Sequence, residues 1–541
     1  MSVWDPLRNG AYRMMWTAGI GGLLGSWMQL MAAQWILVEL SGSPVLIALV
    51  NTSSMLPVLL LALPAGVLAD VLDRRRMLLT IQVFQVCTAT AMAALALVGR
   101  LSPPVVLLLI FMAGCGTAMG APTYQGLVSS LILRRRLQST AALDAFGINL
   151  TRAIGPLLGG VLLASWGASA VFGVTTVLFG AYAAVLGLWR QKEPLPAERG
   201  EPFIAALRAG GRYVRYSSVM RRMLWQLAAF LLPASCFWAL LPLVTARGLG
   251  HGAGGYGLAL AAAGGGAAAG APLVPWMRRR LGNTRLPVTA RLVFAAAVAA
   301  LSVLDKPVPV LAVLVISGVA WTAALTDATA NVQMFLPQWV RARGSAAYQV
   351  VLFGAQAGGA LLWGLLAQGA GVTAAYVTAA VLIVLSVAIV GRKPAVDWHG
   401  MNREPAVYWP EPDLAQQPQN RLDPVAIQVT YRVPESSEEQ FVVAMSDVQR
   451  SRRRTGATSC ELWRIGELPG QFLEIYVVPS WGEHLRQHHG RLTGADRAYE
   501  EKARALCVAE PEVLHLLLAE PAVRRPHPAQ NHPDDRAERQ R

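Results

Sequence analysis

Apolar residues in the first 391 positions fall into long runs rather than short amphipathic stripes. Twelve runs can be marked, at about 14–40, 45–70, 77–98, 104–131, 140–165, 168–189, 223–247, 254–277, 287–304, 308–336, 344–368 and 372–391. Each is close to or beyond the roughly 20 residues that a spanning helix needs. The pattern predicts twelve transmembrane helices, six on either side of a polar stretch at 191–222. Within that stretch Phe203, Leu207, Gly210 and Val214 recur at helical spacing between Arg208, Arg212 and Arg215. This predicts an amphipathic linker helix at a membrane surface, with a solvated tether as the alternative.

After Gly391 the pattern changes. Residues 394–421 are rich in Pro, Trp and Gln and read as an extended linker. Val425–Val433 alternates as a strand, Glu435–Arg454 reads as a helix, and Cys460–Ile465 and Phe472–Val478 read as strands. Ser480–Cys507 follows as a helix broken near Gly490, and Val513–Leu518 as a last strand. The order β-α-β-β-α-β is that of a ferredoxin-like domain. The chain is therefore expected to divide into residues 1–190, a six-helix half; 191–222, a cytoplasmic linker; 223–393, a second six-helix half; 394–421, a linker; 422–520, a cytoplasmic ferredoxin-like domain; and 521–541, a disordered tail. The expected fold class is an all-α polytopic membrane protein carrying a small α+β domain.

The two halves echo each other. GVLADVLDRRR begins at Gly66 and GAPLVPWMRRR begins at Gly270, 204 positions later. The same offset relates Gly155 to Gly359 and Gly160 to Gly364. Duplicated helical bundles are a common plan for a cavity that opens to alternate sides.

Composition changes this picture little, but charge orients it. The net charge of +15 could suggest nucleic acid, yet the basic residues crowd alternate loops. They lie at Arg8 and Arg13, Arg74–Arg76, Arg134–Arg136, Arg190–Arg222, Arg278–Arg285, Arg341 and Arg343, and Arg392 and Lys393. Opposite loops hold little beyond Arg100, Arg247 and Lys306. The positive-inside rule then places both termini in the cytoplasm and leaves no call for a nucleic-acid partner. The five cysteines have no metal-ligand spacing, and no disulfide is expected. The first apolar run is too long for a signal-peptide core and reads as a retained helix.

The motif with the most chemistry is the turn after the second run. Gly66 permits close packing, Asp70 can face the N-terminus of a neighbouring helix near Gly344 and Ser345, and Asp73, Arg74, Arg75 and Arg76 can pair across the turn. Together they read as a conformational latch; topology alone would also explain the arginines. Gly155, Pro156, Gly159 and Gly160 form a second motif, in which glycines admit a neighbouring backbone and proline bends the helix.

The first motif resembles the signature of the major facilitator superfamily, and the second resembles that superfamily's helix-5 motif, common among exporters. Segments Gly25–Pro44, Leu63–Arg76, Ala121–Leu131, Phe335–Gln349 and Pro479–Glu500 narrow the resemblance to the transmembrane secretion effector family, its enterobactin-exporter-like branch. The resemblance implies a twelve-helix plasma-membrane exporter of small organic molecules, driven by the proton gradient and needing no cofactor. It also implies a cavity lined by the first, fourth, seventh and tenth helices. The tail resembles the small domains of antibiotic-biosynthesis monooxygenases. A self-associating or regulatory role is expected for it rather than catalysis, although Trp481, His484, His488 and His489 cluster in one segment. The chain departs from the superfamily twice. Val105–Leu133 holds no basic residue, and the second loop copy has Val274 and Pro275 where an aspartate would stand.

Ionisable groups in apolar runs are costly and invite a functional reading. Asp327, one turn before Asn331, is the sharpest candidate for proton or substrate handling. Asp144 and Arg152 read as a structural or gating charge set near the cytoplasmic end. Gln29, Gln34, Trp35 and Gln125, with Trp27, Tyr124, Trp238 and Trp321, are the candidate cavity residues. No metal site is expected.

Overall fold

The computed structural model describes residues 4–132, 137–189, 203–248, 252–391, 402, 414 and 423–518. Residues 191–202 of the expected linker at 191–222, the expected linker at 394–421 apart from residues 402 and 414, and the expected disordered tail at 521–541 lie outside the described residues.

Helix ends follow local chemistry. Helix α1 (Gly10–Leu40) is capped by Asn9, whose side chain accepts hydrogen bonds from the Ala11 and Tyr12 amides. Helices α2 (Pro44–Val71), α4 (Pro103–Leu131) and α9 (Pro307–Phe335) open on a proline, which lacks the N–H that a first turn cannot use. Helix α3 (Arg74–Leu97) is capped by Asp73, which accepts from the Arg76 amide at 2.8 Å.

Helix α5 (Leu137–Leu188) and helix α8 (Gly252–Leu301) are each written as one element, yet each is broken once. Gly167 has φ 77° and Gly282 has φ 78°, values that a side chain disfavours. The apolar spans of these two helices are 50 residues each. An unbroken helix of that length would run to about 75 Å, more than twice the roughly 30 Å of a bilayer core. Nine helices among the described residues are long and apolar enough to cross a membrane. The remaining two are α7 (Ser218–Gly248) and α10 (Arg341–Ala370); α11 (Val372–Gly391) is apolar but shorter and stands outside the nine.

The linker stretch carries helix α6 (Phe203–Tyr216). Its buried Tyr213 lies edge-on to Trp339, with ring centroids 5.8 Å apart, and Gly210 meets Arg343 at the start of α10. Part of its apolar face is thus covered by protein.

Residues from 401 onward form a separate unit with its own apolar core, built around Val425, Ile427, Val429, Phe441, Met445 and Tyr476. Strands β1 (Val425–Arg432), β2 (Ser459–Arg464), β3 (Gln471–Val478) and β4 (Glu512–Leu517) make one sheet in the order β2-β3-β1-β4. All three pairings are antiparallel. Helix α12 (Glu438–Thr455) lies between β1 and β2. Helices α13 (Trp481–Arg486) and α14 (Gly494–Arg504) lie between β3 and β4. The alternate burial of β1 and β3 puts one side chain in two into the core.

Candidate functional site: the seam between the two helical halves

Glycines decide how closely the halves approach. A Cβ at Gly160 would lie 2.8 Å from the Gly257 Cα, so α5 and α8 touch through backbone. At Gly364 of α10 it would lie 2.7 Å from Ala48 and 3.1 Å from the Val45 Cα on α2. Gly155 packs on Leu24 and Trp27 of α1, while Gly359 packs on Leu232 and Ser235 of α7. Gly114 packs on the Ser54 carbonyl, while Gly318 packs on the Ala263 carbonyl. Each pair of glycines is 204 positions apart, and their partners are 208 or 209 apart. The repeat is therefore present in the contacts as well as in the letters. Gly159 completes the second motif by meeting the Met28 Cα at 3.2 Å. Pro156, which lacks an N–H, leaves the Arg152 carbonyl without its helical donor, and that carbonyl lies against Gly264 of α8.

Hydrogen bonds also cross the seam. Tyr256 donates to the Gln34 Oε1 at 2.5 Å, and Asn51 donates to the Trp238 carbonyl at 3.1 Å. Thr52 donates to the Ala357 carbonyl at 2.8 Å, and Ser43 donates to the Gln368 Oε1 at 2.9 Å.

The sequence candidates are distributed over this frame unevenly. Asp327 is buried and ion-paired with Arg278 at 3.1 Å, and Asn331 donates to its other oxygen at 2.9 Å. Arg278 belongs to the second copy of the arginine triplet, so that triplet reaches into its own half. Asp144 and Arg152 are not brought together. Asp144 accepts from Tyr12 at 3.0 Å and from Tyr124 at 3.3 Å, with no cation paired to it among the described residues. Arg152 lies midway along its pass rather than near the end, with its guanidinium carbon 5.2 Å from the Trp27 ring centre and 5.3 Å from that of Trp238. Gln29 is buried and turned to Met92, Trp35 stacks on Tyr256 and donates to Glu39, and Gln125 is exposed. Trp321 packs edge-on to Trp238 at 5.6 Å.

The turn motif makes its described contacts inside the first half. Arg74 donates to the Gly126 carbonyl at 3.0 Å. Arg75 donates to the Leu186 and Gly187 carbonyls at 2.8 and 2.7 Å, satisfying the open C-terminus of α5. Arg76 is exposed, with its amide bonded to Asp73. The surroundings of Gly66 and the side chain of Asp70 lie outside what is described, as does Arg134–Arg136. Ser345 accepts from Gln333, and Gly344 meets Leu336, both from the second half.

In the tail, His515 joins a cluster that the sequence showed only in part. The His484 Nε2 lies 3.2 Å from that of His488 and 3.1 Å from that of His515. Burial pushes the His484 imidazole down to about 3, and the two neighbouring rings add to the fall. Among the described residues no group of three His, Cys, Asp or Glu is arranged to hold a metal ion. The side chain of His489 lies outside the described residues. Beside the cluster, Glu483 pairs with Arg491, and Glu474 accepts from Tyr431 at 2.8 Å.

Residues 1–522 match the family described as transmembrane secretion effector. The chain belongs to this family of the major facilitator superfamily. It is 28% identical over 151 residues to a staphyloferrin A transporter of Staphylococcus aureus, which covers 28% of this chain and 38% of that protein. It is 24% identical over 225 residues to the multidrug efflux pump Tap of Mycolicibacterium fortuitum, covering 40% and 55%. These matches thus span about two fifths to just over half of the relatives' lengths. Among solved structures, a bacterial homologue of the human lysosomal transporter Spinster, inward-facing and occupied, superposes with a TM-score of 0.57 at 14% identity, covering 72% of this chain and 97% of that one. The nucleoside transporter NupG superposes with a TM-score of 0.55 at 13% identity, covering 72% and 99%. These likenesses fix the fold of the helical part.

Proposed function

We propose that this protein is a secondary transporter of a bacterial plasma membrane that exports a small organic molecule by alternating access, driven by protons. The observation that carries the reading is the repeated glycine seam. Backbone-close, side-chain-poor contacts between duplicated halves let one half pivot on the other at low cost. Counting α5 and α8 as two passes each, and adding α11, gives twelve passes with both termini in the cytoplasm. The tail, by its element order and sheet order, reads as a ferredoxin-like domain with a regulatory or self-associating role. Siderophore transport and drug efflux, named for the two relatives, are the cargo classes that similarity favours.

Within this reading the two arginine triplets hold the cytoplasmic ends of the bundle together, and Asp70 and Asp73 complete the latch. Proton handling divides between two carboxylates. Asp327 is already engaged in an ion pair with Arg278. Among the described residues Asp144 is bonded by hydroxyls alone, which can donate or accept, and it is the better placed proton carrier.

Accumulation of a panel of siderophores and dyes in everted vesicles, with and without a protonophore, tests the proposal. Protonophore-sensitive accumulation of a panel member is expected. Equal uptake with and without the gradient, or loss from preloaded everted vesicles, would overturn proton-driven export.

A further inference from the structure

The geometry points to Arg152 as an anion-binding residue at the centre of the transport pathway, there to receive the carboxylate of a planar organic acid. This inference rests on the transport reading and names the substrate class of that same pathway.

Three helices build the position. Arg152 is 15 residues from the start of α5 and 15 from the break at Gly167, so it sits near the middle of its pass. Trp27 is near the middle of α1, and Trp238 is on α7 in the other half. The guanidinium is held between these two indoles. An arginine at this depth is expensive, and its presence needs a partner. The two rings supply cation–π attraction, but they offer no hydrogen-bond acceptor to the N–H edge.

Among the described residues Arg152 has no ion pair, and its buried Nε meets no acceptor. The residue as a whole is only part-buried, and of its three guanidinium nitrogens Nε alone is fully buried without a partner. The neighbouring indole N–H groups of Trp238 and Trp321 are also buried without acceptors. Among these described side chains the site presents the Arg152 cation and two neutral donors rather than an acceptor for a cationic drug, and a second buried cation, Arg291, stands over Phe230 beside Trp321. Such a set matches a carboxylate, which a guanidinium can hold through two parallel hydrogen bonds. The flanking indoles match a flat organic body behind that carboxylate. Because Trp27 and Trp238 belong to opposite halves, a ligand here would touch both moving parts.

The test uses the full-length protein in lipid nanodiscs, titrated calorimetrically with 2-naphthoate and with neutral 2-naphthamide. Naphthoate is expected to bind the wild type more tightly than naphthamide. Arg152→Gln is expected to weaken naphthoate by about tenfold or more and to leave naphthamide unchanged, as loss of a charge-assisted pair predicts. Arg152→Lys keeps the charge without the fork and is expected to fall between them, which also controls for a folding defect. The inference is overturned if Arg152→Gln binds naphthoate within about twofold of wild type, if the wild type does not distinguish acid from amide, or if it binds neither. Failure of the export reading is separable. Binding through Arg152 without any vesicle transport would sink export and leave this site standing.

Discussion

Gly160 and Gly257 face each other reciprocally across the two halves. A Cβ on Gly160 would sit 2.8 Å from the Gly257 Cα, and a Cβ on Gly257 would sit 2.8 Å from the Gly160 Cα and 2.6 Å from the Pro156 carbonyl. The obstructing atoms are backbone, which cannot swing aside.

Gly257→Ala should therefore push α5 and α8 apart. The expected loss is about 1–3 kcal/mol of stability, the usual cost of overpacking. Transport should fall with it. Gly173→Ala is the control, because a Cβ there meets nothing within 4 Å. Thermal melting of the two variants in detergent checks the contrast; equal melting would show that the seam tolerates a methyl group.

The Arg278–Asp327 pair makes a different prediction. Asp327→Asn leaves the arginine without its partner charge, and a loss of about 1–3 kcal/mol is expected, since removing one member of a largely buried pair exposes the cost of the other. Arg278→Gln with Asp327→Asn should recover part of that loss. Melting curves of the single and double variants read the coupling. Purely additive losses would mean that the pair contributes no interaction energy.

The tail should be sensitive to mild acid. His484 is 1% exposed, and its folded value of about 3 lies below an unfolded value near 6.5. A base that stays neutral in the fold binds fewer protons than it does in the unfolded chain. Its share of stability is complete above about pH 6.5 and is lost as pH falls from there toward 3. Asp496 acts in a lower window. Burial opposes its ionisation, but Arg454 and the bonds from Ser451 and Thr493 hold its carboxyl below the usual carboxylate range. Its share is lost only below about pH 4. Denaturation of the 401–541 unit, which has its own core, should lose about 1 kcal/mol between pH 7 and 5.5. His484→Phe should flatten that slope, and an unchanged slope would assign it to other groups.

Much of this was legible in the letters for physical reasons that the contacts make plain. Apolar runs report membrane helices because the bilayer leaves few alternatives. The break at Gly167 was visible as a gap between two runs. Gly282 was harder to place, because α8 passes through a basic segment as a helix up to that residue. Alternation in β1 and β3 marked strands with one buried face. Side-chain partners were much less legible. Nothing in the sequence ties Arg75 to the carbonyls of Leu186 and Gly187, since every residue has a carbonyl. Arg152 was read with Asp144 because the two share a helix, yet eight residues turn them to different neighbours. His515 escaped notice because it stands 31 positions from His484 on another element.

The central claim is that the halves must separate at the seam for transport. The Ser43–Gln368 hydrogen bond joins the start of α2 to the end of α10 and can be replaced by a covalent tie. With the five native cysteines removed, Ser43→Cys and Gln368→Cys should be bridged by a short bifunctional thiol reagent. Transport should stop on cross-linking and return when a reducible linker is cleaved. Undiminished transport by the fully cross-linked protein would contradict alternating access at this seam.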